Sequence, residues 1–214
     1  MNISEIFSHV DHSKLGSCCT IQDIRQLCNE AVENKMASVC IPPSFVKMAK
    51  TMCAGKVAVC TVIGFPLGYS TTETKLFETH DALANGADEI DMVINLGDVK
   101  AGNFSAVTDE IKKIKAVCSG YILKVIVETC YLTKEEKEAV CKCVTDAGAD
   151  FIKTSTGFGS SGASIEDIEL FKKHIGPAVK IKASGGIKTF EDFVCYLEAG
   201  CERLGTSSAM TIRG

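Results

Sequence analysis

Residues 85–95, NGADEIDMVIN, join the end of a helix to a buried strand and decide the fold. Gly86 stands where a left-handed C-cap is needed, and the apolar run from Glu89 to Asn95 follows at once. The same arrangement recurs at residues 147–150 (AGAD) and 199–202 (AGCE), each directly before another apolar run. The three sites are separated by roughly 60 and 50 residues, or about two βα units each. The chain is therefore built from repeated βα units, with no linker between domains.

Apolar runs alternate along the whole chain with segments of helical period, which is typical of a parallel sheet with crossover helices. Several runs are continuously apolar, such as residues 57–63 (VAVCTVI), because parallel strands are covered on both faces. Thr20, Thr133, Ser164 and Thr189 each stand three residues before a carboxylate, which marks helix starts. The predicted strands are Phe7–His12, Ser38–Pro42, Val57–Gly64, Glu89–Asn95, Ile122–Glu128, Asp150–Ser155, Val179–Ala183 and Arg203–Gly205.

Eight such units predict a compact α/β fold, a single (β/α)8 TIM barrel spanning residues 1–214. An open doubly wound sheet is the main alternative, but the turn after the first strand, SKLGSCCT, lacks the G-x-G-x-x-G fingerprint. Few residues follow Ser207, so we expect the last helix to be truncated. We interpret Met1–Ser8 as an extra helix across one end.

Composition restricts the class of protein. Apolar residues make up 46% and charged residues 23% of the 214, the mixture of a soluble globular chain. The net charge of −4 offers no basic footprint for nucleic acid. No apolar run approaches the roughly 20 residues of a membrane span, and the start has no secretory signal pattern. We therefore expect a cytoplasmic protein without nucleic-acid or membrane partners.

The 12 cysteines raise the question whether the chain binds a metal. No C-x-x-C occurs, Cys141 and Cys143 diverge at helical i, i+2 spacing, and His9 and His12 point to opposite faces of an extended segment. We predict no metal site, and we expect most cysteines to be buried thiols that pack as small hydrophobes.

Five polar residues stand late in otherwise apolar strands: Asp91, Lys124, Glu128, Lys153 and Lys182. Barrel enzymes assemble their active sites at the C-terminal ends of the strands, so these side chains are candidates for chemistry. Any one of them alone is explained equally well by a solvated rim or by a buried pair of a lysine with a carboxylate.

The candidates together suggest a nucleophilic amine. Apolar neighbours of Lys153 favour its neutral, nucleophilic form, and a second cation on the next strand favours it further. Lys180 and Lys182 share one face of that strand, so spacing does not choose between them. Asp91 needs a cationic partner, Lys182 or Lys124, and such a pair can move protons.

Two clusters of glycine and hydroxyl residues follow the last two strands, at 183–187 (ASGGI) and 205–209 (GTSSA). Barrel enzymes often hold phosphate at this place, with backbone N–H groups and the start of a short helix. The pair of clusters predicts a phosphorylated ligand.

Five segments closely resemble the deoxyribose-phosphate aldolase family, especially its shorter microbial branch, and they occur in order through nearly the whole chain. They are residues 10–13 (VDHS), 88–95 (DEIDMVIN), 124–129 (KVIVET), 151–158 (FIKTSTGF) and 182–187 (KASGGI). The resemblance implies a class I aldolase that reversibly cleaves 2-deoxy-D-ribose 5-phosphate to D-glyceraldehyde 3-phosphate and acetaldehyde. It implies no metal or other cofactor, and only small sugar phosphates and aldehydes as partners.

By position, the resemblance makes Lys153 the Schiff-base lysine, Asp91 the proton donor and acceptor, and Lys182, rather than Lys180, the second lysine. It assigns the phosphate to Gly157, Gly185, Gly186, Ser207 and Ser208, and the pocket lining to Asp11, Cys40 and Lys124. We expect the N–H groups of the three glycines and of Ser208 to hold the phosphate, together with the two serine hydroxyls.

The chain departs from the family pattern at two places. Phe158 stands where some relatives have a lysine, so the phosphate is expected to depend on N–H groups and hydroxyls. Longer relatives end in a tyrosine that assists proton transfer, whereas the last tyrosine here is Tyr196, and water ordered by Asp91 and Lys182 is the expected substitute.

Two other functions fit the same architecture. A phosphate-binding isomerase or epimerase would use carboxylates or a metal and would be insensitive to borohydride, and a non-catalytic binding barrel would lack one of Asp91, Lys153 and Lys182. The sequence is compatible with a homodimer or a larger homo-oligomer and does not choose between them.

Overall fold

The computed structural model describes residues 1–213 and contains a closed barrel of eight parallel strands, paired in chain order with β8 against β1. This confirms the predicted TIM barrel and excludes the open sheet. The strands are β1 Val10–Ser13, β2 Ser38–Ile41, β3 Ala58–Ile63, β4 Glu89–Val93, β5 Ile122–Ile126, β6 Phe151–Lys153, β7 Lys180–Ser184 and β8 Arg203–Thr206.

Helices connect successive strands and surround the barrel. Thr20, Thr133 and Thr189 form complete capping boxes, and the Ser164 hydroxyl accepts the N–H of Asp167, as the sequence predicted. The α-helices are α1 Ile3–Phe7, α2 Ile21–Glu33, α3 Val46–Cys53, α4 Thr72–Ala84, α5 Leu96–Lys100, α6 Phe104–Val117, α7 Lys134–Asp146, α8 Ile165–His174 and α9 Phe190–Glu198. Short 3-10 helices span Pro43–Phe45, Thr129–Tyr131 and Ala209–Arg213.

The repeated glycines end helices as expected. Gly86, Gly148 and Gly200 have φ of 103°, 71° and 104°, in the region that favours glycine. A Cβ on Gly86 would also lie 2.9 Å from Cγ of Lys50. The helix-to-strand junctions that decided the fold are therefore fixed by the backbone conformation of single residues.

The first strand was predicted too early. The structure places Phe7 at the end of α1, where an Asn2–Glu5 capping box begins the helix and Ile6 and Phe7 are buried. The strand begins only at Val10. Met1–Ser8 does supply the extra helix, and the 3-10 turn at Ala209–Arg213 stands where a truncated last helix was expected.

Most predicted strands end later than the observed ones. Ile94 and Val127, for example, are fully buried but lie beyond the ends of β4 and β5. Burial continues into the loops after regular strand pairing stops, so apolar character alone overestimates strand length.

The apolar core lies mainly between the strands and the helices, whereas the barrel interior contains charged groups and one small apolar cluster. That cluster consists of Cys40, Cys60 and Val62, with Leu15 and Phe65 against it. Most of the cysteines are buried free thiols. The interior of the barrel is therefore polar where an active site would lie.

Within residues 1–213, no helix is long and apolar enough to cross a membrane.

Candidate active site

A cavity of about 560 Å³ opens at the C-terminal ends of the strands. Its volume suits a small molecule. Cys40, Lys153 and Lys182 reach it from the strands, and the turns after β6, β7 and β8 form much of its wall. The barrel thus places the candidate catalytic side chains at the floor of the cavity and the glycine-rich turns at its rim.

Asp91 is the centre of the site. Its Oδ2 accepts from Nζ of Lys153 at 2.8 Å and from Nζ of Lys182 at 2.7 Å, and its Oδ1 accepts from Nζ of Lys124 at 2.9 Å. In the barrel register Asp91 is paired with Lys124, and Lys153 with Lys182. Three lysines from three strands therefore converge on one buried carboxylate.

A second layer of charges lies below Asp91. Lys182 also donates to Asp11, and Lys124 lies 2.6 Å from a Glu89 oxygen and 3.5 Å from an Asp11 oxygen. Arg203 contacts both Asp11 and Glu89, with Nη2 at 2.7 Å from Oε1 of Glu89. The barrel interior thus holds one continuous network of seven charged side chains.

These contacts fix charge states. Burial acts to raise the pKa of Asp91, but Lys124, Lys153 and Lys182 outweigh it and hold that pKa well below the usual 3.8. Burial likewise acts to lower the pKa of Lys182, and the carboxylates of Asp11 and Asp91 outweigh it and raise that pKa. Asp91 is therefore an anion, and Lys182 a cation, at neutral pH.

The charges of Asp11 and Lys124 result from the same competition between burial and neighbouring charged groups. The pKa of Asp11 is lowered, because Lys182, Lys124 and Arg203 overcome the effect of its burial. Burial acts to lower the pKa of Lys124, but the carboxylates of Asp91, Glu89 and Asp11 outweigh it and raise that pKa well above 10.5. Both groups are charged throughout the physiological range.

The rim carries the predicted phosphate residues. Gly157, Gly185 and Gly186 have φ of 87°, 82° and 81°, and no described residue accepts their N–H groups. A Cβ on Gly185 would lie 2.9 Å from Cα of Gly162, so this turn admits only glycine. The three glycines present unpaired N–H donors at the wall of the cavity.

Ser208 differs from its prediction. Its N–H donates to Oγ1 of Thr206 at 2.9 Å, because the turn closes on the threonine hydroxyl two residues earlier. Ser207 and Ser208 both line the cavity, so their hydroxyls remain candidates for binding. The expectation that the Ser208 N–H holds phosphate is wrong for this conformation.

Asp11 and Lys124 do not line the cavity, although the resemblance placed them there. Both side chains are fully buried beneath Asp91 and Lys182, because their strand positions lie deeper in the barrel. Lys180 lies at the opposite end of β7 from the cavity and is exposed, with Nζ 2.9 Å from Glu202. The structure thus separates Lys182 from Lys180, which period-two spacing did not.

Glu128, the fifth polar residue of the late strand positions, does not join the network. Its carboxylate accepts the N–H of Thr156 at 3.1 Å and also the Thr156 hydroxyl. That hydroxyl accepts the N–H of Phe158 at 3.0 Å, and Phe158 packs edge-on against Phe65. Glu128 therefore fixes the turn that contains Gly157.

Four residues of the site were not predicted from the sequence. Glu89 precedes Asp91 by two positions, and period-two alternation places both on the interior face. Arg203 likewise precedes Gly205 by two positions on β8. Gly205 faces the interior of the barrel, since a Cβ there would lie 3.1 Å from Cε of Lys182. Lys14 and Lys188 line the cavity rim, so cations are present there despite Phe158.

Among the described residues, one group has metal-ligand types close together: Cys40, Cys60 and Asp91, with ligand atoms within 4.8 Å of one another. Both Asp91 oxygens already accept from lysines, and Sγ of Cys60 lies 3.1 Å from Asp91 and 3.2 Å from Lys124. Three ammonium groups around Asp91 oppose a bound cation. The group is therefore better described as part of the ionic network.

Comparison with known proteins agrees with this geometry. Residues 6–208 match the model of the DeoC/LacD family aldolase. A deoxyribose-phosphate aldolase of Clostridium botulinum (strain Eklund 17B / Type B) is 57% identical over 98% of this chain and 95% of its own length.

Two solved structures have the same architecture. One is described as an aldolase, QR15, with a TM-score of 0.93, 39% identity, and coverage of 97% of this chain and 94% of its own. The other is the deoxyribose phosphate aldolase of Aeropyrum pernix, described as a unique tetramer, with a TM-score of 0.91, 31% identity, and coverage of 99% and 90%. The family match and these identities confirm what the sequence motifs predicted: this chain is an aldolase and belongs to the DeoC/LacD family.

Proposed function

We propose that this aldolase reversibly cleaves 2-deoxy-D-ribose 5-phosphate to D-glyceraldehyde 3-phosphate and acetaldehyde through an imine on Lys153. The carrying observation is that Lys153 faces the cavity while Asp91 lies 2.8 Å from its amine. The substrate follows from the name of the relatives and from the glycine-rich rim, which suits a phosphate.

The reaction begins at the open-chain aldehyde of the sugar. The neutral amine of Lys153 attacks C1, and loss of water gives the imine. Removal of the proton from the C3 hydroxyl then breaks the C2–C3 bond and releases glyceraldehyde 3-phosphate. The electron pair passes to C2 as an enamine, which takes up a proton, and hydrolysis of the resulting imine releases acetaldehyde.

Asp91 and Lys182 would handle the protons of these steps. The two side chains are in direct contact, and Asp91 also contacts the reacting amine. Water held between this pair and the substrate would exchange protons with C2 and with the C3 hydroxyl. This arrangement requires no tyrosine.

The phosphate would occupy the rim. The N–H groups of Gly157, Gly185 and Gly186 and the hydroxyls of Ser207 and Ser208 would donate to it. Lys14 and Lys188 also line the cavity and would add positive charge. The floor and the rim thus receive opposite ends of one sugar phosphate.

Reductive trapping tests the proposal. The protein is treated with acetaldehyde and borohydride, and the modified peptide is mapped by mass spectrometry. We expect the adduct on Lys153, within the peptide that contains residues 151–156, and we expect Lys153→Ala to abolish both trapping and turnover. Lys180→Ala is the matched control and should keep both.

An adduct on Lys182, or turnover that survives Lys153→Ala undiminished, would contradict the mechanism. Absence of any adduct in an enzyme that still cleaves the sugar would likewise contradict an imine on Lys153.

A further inference from the structure

The interior network does not contain equal numbers of positive and negative groups. Its carboxylates are Asp11, Glu89 and Asp91, and its cations are Lys124, Lys153, Lys182 and Arg203. The carboxylates and lysines are buried, and the Arg203 side chain is only 15% exposed. Unbalanced charge in a buried site is costly. The network therefore reaches neutrality when one cation releases a proton.

The contacts indicate which cation releases it. Arg203 does not, because a guanidinium stays protonated in proteins. Lys124 is within 3.5 Å of three carboxylates, whereas Lys182 contacts two. Lys153 contacts only Asp91. Lys153 therefore has the fewest carboxylate partners of the three lysines, and it also reaches the cavity.

Arg203 and Glu89 belong to the network but do not line the cavity. Arg203 donates to both oxygens of Glu89, at 2.7 and 3.2 Å, and also to Asp11. Its guanidinium lies 5.9 Å from the ring centre of Phe151, two residues before Lys153 on β6. The cation is thus held in place at the base of the network.

We propose that Arg203 and Glu89 are positioning residues that set the protonation of Lys153 through Asp11 and Lys124. Arg203 neutralises part of the carboxylate charge and so favours the neutral amine. Glu89 does the opposite, because it compensates Lys124 and Arg203. The inference rests on the proposed function only in taking Lys153 as the nucleophile.

The other groups around Lys153 stay the same in this scheme. Lys153 contacts Asp91 from β4, and Asp91 in turn contacts Lys182 from β7, Lys124 from β5, and the Cys40 and Cys60 thiols from β2 and β3. Burial and the Cys40 hydrogen bond raise the pKa of Cys60 well above 9.0, so this thiol stays neutral. Changes at Glu89 and Arg203 therefore alter the charge without changing any group that contacts Lys153.

The test measures the rate of imine trapping with acetaldehyde and cyanoborohydride as a function of pH. Glu89→Gln adds net positive charge and should move the midpoint of the profile to lower pH. Arg203→Met removes positive charge and should move it to higher pH. Each shift should be roughly 0.5–1 pH unit, as expected for a nearby but non-contacting charge. Arg203→Lys keeps the charge and should restore most of the wild-type midpoint.

The exposed pair Lys180–Glu202 provides matched controls, with Lys180 at the start of β7 and Glu202 directly before Arg203. Glu202→Gln and Lys180→Met make the same changes in total charge outside the barrel and should leave the midpoint unchanged. If Arg203→Met does not fold, Glu89→Gln against Glu202→Gln still decides the question.

Midpoints that stay fixed, or that move in the same direction in both interior variants, would overturn the inference. Loss of trapping in the wild-type protein would instead overturn the proposed function, so the two failures are distinguishable.

Discussion

Asp91 is the residue on which the site depends, because it is the only described carboxylate that contacts both Lys153 and Lys182. Lys124, Lys153 and Lys182 keep the pKa of Asp91 low, and the contact with Lys153 places a proton acceptor beside the proposed reacting amine. An amide at this position would keep the shape but would lose the charge and the capacity to accept a proton.

We therefore expect Asp91→Asn to lower the rate of sugar cleavage by about 10²–10⁴, the range of acid–base contributions. Retro-aldol turnover and hydrogen–deuterium exchange of acetaldehyde are the measurements. Asp146→Asn, in an exposed pair with Lys142, is the control and should leave both unchanged. Turnover near the wild-type value in both assays would show that Asp91 does not carry protons.

The turns that follow β6, β7 and β8 form the rim of the cavity, and each contains glycine or hydroxyl residues. Thr156 and Thr206 accept N–H groups two residues later in their turns. The Thr156 turn is also held by Glu128, and the Thr206 hydroxyl donates to the carbonyl of Ile187. Hydrogen bonds within the protein therefore define the backbone conformation of the turns after β6 and β8.

Gly186 tests the phosphate assignment. It has φ of 81° and no atom within 4 Å of its missing Cβ, so a side chain there would enter the cavity. Gly186→Val should raise KM for deoxyribose 5-phosphate much more than for deoxyribose. Ser208→Ala should act in the same direction but to a smaller extent. It removes one hydrogen bond to a charged group, which contributes roughly 1.5–3 kcal/mol of binding free energy.

The comparison is kcat/KM for the two sugars in each variant. Gly102→Val introduces a similar backbone strain, with φ of 73°, at an exposed turn and should leave the ratio between the sugars unchanged. Equal proportional losses for both sugars in Gly186→Val would place the phosphate elsewhere.

The whole barrel is closed around its charges, so its stability depends on their ionisation. The folded-state pKa values of Asp11 and Asp91 lie below the usual 3.8. Their contributions are fully present above that value and are lost as pH falls through the folded-state values. The network thus stabilises the fold at neutral pH and fails on the acid side.

We expect the Tm of the wild-type protein to fall as the pH drops below about 4. Asp11→Asn should be less stable at neutral pH, by about 3–5 kcal/mol, because Lys182 and Arg203 lose a buried partner. Its deficit should narrow as the pH falls, since the wild type then loses the same charge. Thermal unfolding of both proteins across this pH range is the measurement, and a deficit that stays constant or widens would contradict the interpretation.

Short-range signals in the sequence were sufficient to predict the barrel. The glycines at the helix ends, the capping threonines and serine and the continuous apolar runs each act within a few residues, so their pattern predicted all eight strands and the starts of α2, α7, α8 and α9. Strand ends and the start of β1 were less accurate, because apolar burial extends past the paired segments, as at Ile94, and also includes Phe7 of α1.

The eight-unit barrel follows from the sequence alone, and the motifs add the family and the candidates Asp91, Lys153 and Lys182. The participation of Glu89 and Arg203, and the position of Asp11 and Lys124 beneath the cavity, became apparent only in the folded barrel. Period-two alternation specifies the face of a strand, but the height of a side chain in the barrel depends on strand tilt and stagger. Closure of β8 on β1 then brings Asp11 and Arg203 into contact across nearly the full length of the chain.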